Sequence, residues 1–381
     1  MIYRPIGKTG MSASVIGLGG EHLDNKPFET ADAVINTALD NGVNIMDVFM
    51  PGDEVRTNIG RALAGRRDKM LIQGHLGSTN IKQQYDQSRD LPSIKTYFES
   101  LLRCLKTDYI DFGMLFFIDS EKDFSDMFDG PALGYAQELK KEGKIRAIGA
   151  SSHNPVIARR VVETGMVDLL LFSINPAFDM APSGANVLDY LAEDNFNFEK
   201  NLDPRRAALY KLCEQKSVAI TVMKTLGAGK LLDPRYSPFG RPLSAVQCIH
   251  YALTRPGVVS ALLGCSTREQ VLEALGYLNA ADEEKDYSGI VSKYQGSFKG
   301  SCVYCSHCLP CPAEINIAEV NKYLDAALLD PEHIPQTVTE RYRALKHRGS
   351  ECIACGSCEK KCPFSVPVVE RMKKAAALFG L

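Results

Sequence analysis

The sequence predicts an α/β chain: a (β/α)8 TIM barrel followed by a small C-terminal α+β domain. Three observations carry this reading. Eight short apolar runs alternate with longer amphipathic stretches between residue 1 and about 285. Eight such βα units in roughly 250 residues match a closed barrel better than an open doubly wound sheet. Eight of the twelve cysteines crowd into the last 80 residues, which points to metal and sets that region apart.

The runs that read as strands are VIGLG (15–19), VNIMDV (43–48), KMLIQGH (69–75), YIDFGMLFF (109–117), IRAIGASS (145–152), VDLLLFSIN (167–175), VAITVMK (218–224) and VVSALLGC (258–265). Between them, the stretches 29–42, 93–106, 132–144 and 267–280 carry apolar residues at spacings of three and four, as helices packed on a sheet do. In such a barrel the chemistry sits at the C-terminal strand ends, so the residues after each run are the ones to inspect. The polar, Gly- and Ser-containing segment 282–301 fits a linker or a barrel-covering tail. The domains are therefore expected at 1–285 and 286–381.

Composition excludes several classes. Hydrophobic residues make up 45% and charged residues 24% of the 381 residues, enough apolar material for a packed core. With 44 Lys plus Arg against 46 Asp plus Glu, the net charge is -2, and no global field draws the chain to nucleic acid or anionic lipid. No run of 18 apolar residues predicts a membrane span, and no charged segment followed by an apolar run signals export. A cytoplasmic location is expected, with small molecules or redox proteins as partners. Cys104, Cys213, Cys248 and Cys265 stand singly in apolar surroundings and read as small buried hydrophobes.

The remaining cysteines form two runs: Cys302, Cys305, Cys308 and Cys311, then Cys352, Cys355, Cys358 and Cys362, each run followed by proline. The second has the bacterial ferredoxin spacing, and the first differs by one residue before Cys311. Three thiolates two residues apart let one turning loop face one cluster, while the fourth cysteine of each run ligates the other cluster. That rule assigns Cys302, Cys305, Cys308 and Cys362 to one 4Fe-4S cluster, and Cys352, Cys355, Cys358 and Cys311 to a second. The C-terminal domain is then a two-cluster ferredoxin-like one. A pair of four-cysteine zinc sites is the alternative, although zinc rarely uses a triplet followed by Cys-Pro. His307, between two ligands, reads as a neighbour of the cluster and not as a ligand.

The opening Tyr3-Arg-Pro-Ile-Gly-Lys-Thr-Gly10 with Ile16-Gly-Leu-Gly19 resembles the N-terminal hairpin of aldo-keto reductases. Asn44-Ile-Met-Asp47, Thr107-Asp-Tyr-Ile-Asp111, Gly143 to Gly149, Ile174-Asn175, Val222 to Gly229 and Gly264 to Glu269 extend the likeness across the barrel. With its cysteine domain the chain is similar to the iron-sulfur branch of that family, and an oxidoreductase is implied. The family reduces carbonyls with NADPH through an Asp, Tyr, Lys, His tetrad. Asp47 falls on the aspartate, but Val48-Phe49-Met50-Pro51-Gly52 holds no tyrosine, His75 stands at the lysine position and Phe116 at the histidine position. A site without its proton donor loses the roughly 100- to 10,000-fold that general acid catalysis contributes.

Asp47 and His75 remain as the catalytic candidates, the histidine able to donate or accept a proton and the carboxylate able to set its tautomer. Glu21, His22, Ser152, His153 and Asn154 are reserve candidates. Arg89 and Tyr85, after the third strand, are within reach of the mouth, a solvated loop being the simpler reading.

For a nucleotide, Leu226, Gly227 and Gly229 after strand seven and Gly264, Ser266 and Thr267 after strand eight sit where barrels bind phosphate. Arg268 is placed to contact a 2'-phosphate. The resemblance further implies Ser151, Ser152 and Asn175 around a nicotinamide carboxamide, with Lys224 a further cofactor-binding candidate, while the adenine-side asparagine is replaced by Ala274. NADP(H) is one expected ligand and a flavin another. The function expected is electron transfer between a molecule at the barrel mouth and an external carrier of ferredoxin or flavodoxin type. The alternatives are an NADPH-dependent carbonyl reductase with His75 as acid and structural clusters, and a non-enzymatic electron carrier or redox sensor.

Overall fold

In the computed structural model, which describes residues 1–180, 204–291 and 299–381, the eight predicted runs form a closed barrel. Its strands are β3 (Ile16–Gly19), β4 (Ile45–Val48), β5 (Leu71–Leu76), β8 (Ile110–Leu115), β9 (Ile145–Ser152), β10 (Leu169–Ser173), β11 (Ala219–Met223) and β12 (Val258–Gly264). They neighbour one another in that order, and β12 returns to lie parallel to β3 with Ala261 opposite Ile16.

Most strands are shorter than their apolar runs, for local reasons. Phe116 and Phe117 leave β8 because Phe117 takes a left-handed conformation, φ 54°. Asn175 leaves β10 to cap the short helix Pro176–Asp179, its side chain accepting from Phe178 N at 2.9 Å. The helices are found at Phe28–Asp40, Leu91–Leu105, Pro131–Lys141 and Arg268–Leu275, the last continued by one 3-10 turn.

The hairpin β1 (Tyr3–Pro5) and β2 (Ser12–Ser14) pairs antiparallel. Its Ile6, Met11 and Ala13 join Ile45, Phe112, Leu169 and Val259 in one buried cluster. The hairpin thus plugs the barrel floor, at about 1.5 to 3 kcal/mol for each large side chain removed from water. A second hairpin, β6 (Ser78–Thr79) with β7 (Asp86–Gln87), follows β5. The apolar periodicity does not show it, because two-residue strands carry no period.

The chain groups into two compact units. One holds residues 1–173, 218–225 and 259–278, hence the barrel, and the other 174–217, 226–258 and 279–381. In the second unit the segment after Asp282, expected as a linker or a tail, contains packed structure. Asp282–Lys285 and Ser288–Val291 are short helices, and residues 292–298 lie outside the described residues. Tyr287 is 1% exposed, and its hydroxyl meets Arg255 Nη2 at 2.6 Å and donates to Val303 O at 2.8 Å. One buried aromatic with a satisfied hydroxyl makes the segment packed structure. Among the described residues no helix is long and apolar enough to cross a membrane.

Candidate functional site

Asp47 is the penultimate residue of β4 and His75 lies on β5, where the register pairs Asp47 with Gln73. The two-residue period then turns Gln73 and His75 to the same side. His75 Nε2 lies 2.7 Å from Asp47 Oδ1, with His75 1% and Asp47 6% exposed. Below them, Gln73 Oε1 accepts from Thr221 Oγ1 at 3.0 Å. His75 Nδ1 is buried and has no hydrogen-bond partner among the described residues. Gly20 packs on the backbone of Asp47: a Cβ there would sit 2.7 Å from Asp47 O and 2.7 Å from Met50 Cε, so only glycine fits.

The rest of the surroundings is aromatic. Phe116 stands edge-on to His75, centroids 5.2 Å apart at 89°, and Phe49 lies 6.2 Å from both rings. Tyr85 packs on Phe49 at 5.2 Å and donates to Asp24 Oδ2 at 2.8 Å. Burial, with Asp24 adding to it, pushes the Tyr85 phenol well above its ordinary range, so it stays protonated. Arg89 donates to Phe116 O (2.7 Å), Phe117 O (2.8 Å) and Asp123 Oδ1 (2.7 Å). Arg89 and Tyr85 are therefore structural parts of the mouth and not a solvated loop. The sequence carries no signal for this, since neither contact is local.

On β9, Ser151 Oγ accepts from Phe117 N at 2.8 Å and keeps its own proton free to donate. Ser152 Oγ is committed, donating to Asp119 Oδ1 at 3.0 Å and accepting from Asn154 N. Asn154 caps the helix Pro155–Glu163. Asp119, which spacing does not single out, gathers this corner. It accepts from His153 N at 2.6 Å and lies 2.9 Å from His153 Nδ1. Burial pushes the Asp119 carboxyl up, but the bonds from His153 and Ser152 outweigh it and hold it below the ordinary carboxylate value.

A depressed folded value contributes stability that is present above the unfolded value, near 3.8, and is lost as pH falls through the folded one. Asp119→Asn is expected to cost about 1 to 3 kcal/mol at neutral pH. The variant should also show a shallower loss of stability below about pH 4. Urea midpoints of both proteins across pH 2 to 7 check this.

The nucleotide candidates divide. Lys224 follows β11 with φ 61°, its Nζ 3.5 Å from Glu21 Oε2. Gly264 lies beneath the His22 ring, where a Cβ would stand 2.1 Å from Nδ1. The helix after β12 is capped by its own chain: Thr267 Oγ1 accepts from Gln270 N, and Ser266 N donates to Gln270 Oε1 at 2.7 Å. Arg268 is exposed. Leu226, Gly227, Gly229 and Asn175 belong to the second unit, where Gly227 and Gly229 turn the chain at φ 58° and 85°.

The cysteine runs share one backbone pattern. Residues two and four places after each first cysteine are left-handed: Tyr304 (58°) and Ser306 (62°), then Ala354 (53°) and Gly356 (68°). These left-handed residues turn each loop tightly around a cavity. One cavity is lined by Cys302, Cys305, Cys308 and Cys362. Another is lined by Cys311, Cys352, Cys355 and Cys358, and Cys308 lines it too. The fourth cysteine of each run thus lines the cavity of the other run. Among the described residues no three His, Cys, Asp or Glu side chains converge on the point where one ion would sit; the thiols instead ring these spaces. Burial pushes Cys305 up to about 11 and Cys308 up to about 12, so metal loading there must release protons. His307 lines the first cavity, its Nδ1 2.6 Å from Asp286 Oδ2 and 3.0 Å from Ser288 Oγ.

Residues 15–243 match the model of the aldo/keto reductase family. The chain belongs to the aldo/keto reductase family. This family member is an oxidoreductase, and its residues 301–367 match a 4Fe-4S dicluster domain. Among solved structures it is similar to the holo form of an aldo-keto reductase from Bacillus halodurans, at 22% identity and TM-score 0.60, over 77% of this chain and 96% of that one. It is also similar to an aldo/keto reductase from Klebsiella pneumoniae in complex with NADP and acetate, at 17% identity and TM-score 0.54, over 76% and 94%. At these identities the likeness is one of fold. No curated protein matches the chain.

Proposed function

We propose that this aldo/keto reductase family member is a cytoplasmic iron-sulfur oxidoreductase that passes electrons between a small molecule bound at the barrel mouth and an external carrier through two 4Fe-4S clusters. The observation that carries the reading is the exchange of fourth cysteines between the two cavities, which fits paired clusters and the dicluster match. Cys302, Cys305, Cys308 and Cys362 would hold one cluster, and Cys352, Cys355, Cys358 and Cys311 the other. When bound, the clusters supply one-electron transfer.

At the mouth, Asp47 accepts from the Nε2–H of His75, which leaves the Nδ1 lone pair facing outward from the pair. A buried acceptor without a donor costs free energy until a ligand supplies one. His75 therefore takes a proton from the substrate, Asp47 holds the imidazole in the tautomer that can do so, and Phe49 and Phe116 keep water away.

A second reading has one observation in its favour, the NADP named in the Klebsiella pneumoniae complex. It is NADPH-dependent carbonyl reduction with His75 as acid and structural clusters. Against it, Ser152 and the Ser266 amide are already bonded within the chain, and no observation favours a flavin. Anaerobic stopped-flow spectroscopy separates the readings. Electron transfer predicts that the cluster absorbance bleaches and recovers with turnover, whereas carbonyl reduction predicts NADPH oxidation with that absorbance unchanged.

A further inference from the structure

We propose that the face around Cys355 is the docking surface for an acidic one-electron carrier protein, an inference that rests on the electron-transfer reading above. Of the eight cysteines in the two runs, Cys355 alone is exposed. Ile353, in the same loop and lining the same cavity, is 65% exposed, more than any other large apolar side chain among the described residues. An isoleucine with no core to fill, set between two thiols, presents an apolar contact at the point where a cluster comes nearest to solvent.

Charge names the occupant. Lys360 and Lys361 lie between Cys358 and Cys362 on the short helix Ser357–Lys361. Lys373 and Lys374 follow Met372, which lines the cavity with Cys352, Cys355 and Cys358. All four are exposed, and Lys361 donates to a backbone carbonyl, Leu309 O, at 3.2 Å. Glu370 is exposed on the same helix as Lys373 and Lys374, and two other neighbouring carboxylates are turned to other work. Glu359 accepts from Val369 N at 2.8 Å, and Glu351 accepts from Arg348 N and meets His347. Residues 336–381 hold nine Lys or Arg against four Asp or Glu in a chain whose net charge is -2, and with Arg341, Lys346 and Arg371 paired to Glu214, Glu314 and Asp325 the four exposed lysines supply the local positive charge. A concentrated positive field beside an exposed redox site steers a negatively charged partner, and a small apolar centre with a charged rim suits a contact that must form and break at each transfer.

The test uses the full chain with its clusters loaded and reduced, mixed in stopped flow with an acidic ferredoxin or with a neutral small quinone. K360E/K361E/K373E/K374E is expected to transfer electrons to the ferredoxin at least about tenfold more slowly at low ionic strength. Salt should slow the unaltered protein and speed the variant. Both should reduce the quinone at the same rate and contain the same iron. Equal ferredoxin rates with normal quinone rates would overturn the docking surface alone. Retention on phosphatidylserine vesicles without any change in ferredoxin rate would also overturn it and assign the patch to a membrane. Failure of the loaded clusters to reduce even the quinone would remove the electron-transfer reading and this inference with it. Should the variant lose iron, the salt dependence of the unaltered protein decides: a rate indifferent to salt rules the surface out.

Discussion

His75→Ala is expected to lower turnover by about 100- to 10,000-fold, the range that a positioned proton carrier contributes, without loss of iron. The reason lies in the pairing. Asp47 holds Nε2 at 2.7 Å in a nearly dry site, which leaves one ring nitrogen for the substrate. Asp47→Asn keeps the shape but turns an acceptor into a group that can present a donor, so the tautomer is no longer set. Its turnover should fall less than that of the alanine variant, and its pH–rate profile should shift. A histidine with a merely structural task predicts the reverse pattern: a lower unfolding midpoint with kcat preserved in whatever folds. Full activity in His75→Ala, with iron and fold intact, would remove this residue from the mechanism.

Cys311→Ala is expected to empty or degrade the second cluster while sparing the first, although Cys311 belongs to the first run. Iron should fall from about eight per chain toward about four, and electron paramagnetic resonance of the reduced protein should lose one of two signals. Cys362→Ala should do the converse. The basis is geometric, since Cys311 lines the cavity of Cys352, Cys355 and Cys358, and Cys362 that of Cys302, Cys305 and Cys308. If each run held its own cluster, Cys311→Ala would damage the first and leave the second. Metal analysis returning zinc in place of iron would refute the assignment altogether.

The parts of this molecule that could be read from the chain are those written in short-range spacing. Eight apolar runs became eight barrel strands because the two-residue period and the amphipathic stretches between them leave few ways to bury both. The cysteine triplets were legible for the same reason: sulfurs two residues apart on a turning loop face one cluster wherever the loop sits. Asp47 and His75 were legible through the resemblance to the family's tetrad positions, with their places near strand ends, which a parallel barrel brings to one mouth, in support.

What stayed hidden depends on residues far apart in sequence. Asp119 joins His153 and Ser152 across 34 and 33 positions, and Arg89 grips Phe116 and Phe117 across 27 and 28. No local pattern marks either pairing. The packing within 282–301 stayed hidden because the segment's polar composition conceals Tyr287, whose burial depends on Arg255 and Val303.

Local periodicity alone therefore determined the barrel, the eight clustered thiols and the two strand ends that carry Asp47 and His75. Only the tertiary structure decided that these two side chains touch, that aromatic rings enclose them, and that the second cysteine loop is the one open to solvent. Spacing sets the direction in which a side chain leaves its element, but contact and exposure depend on which distant segment packs against it.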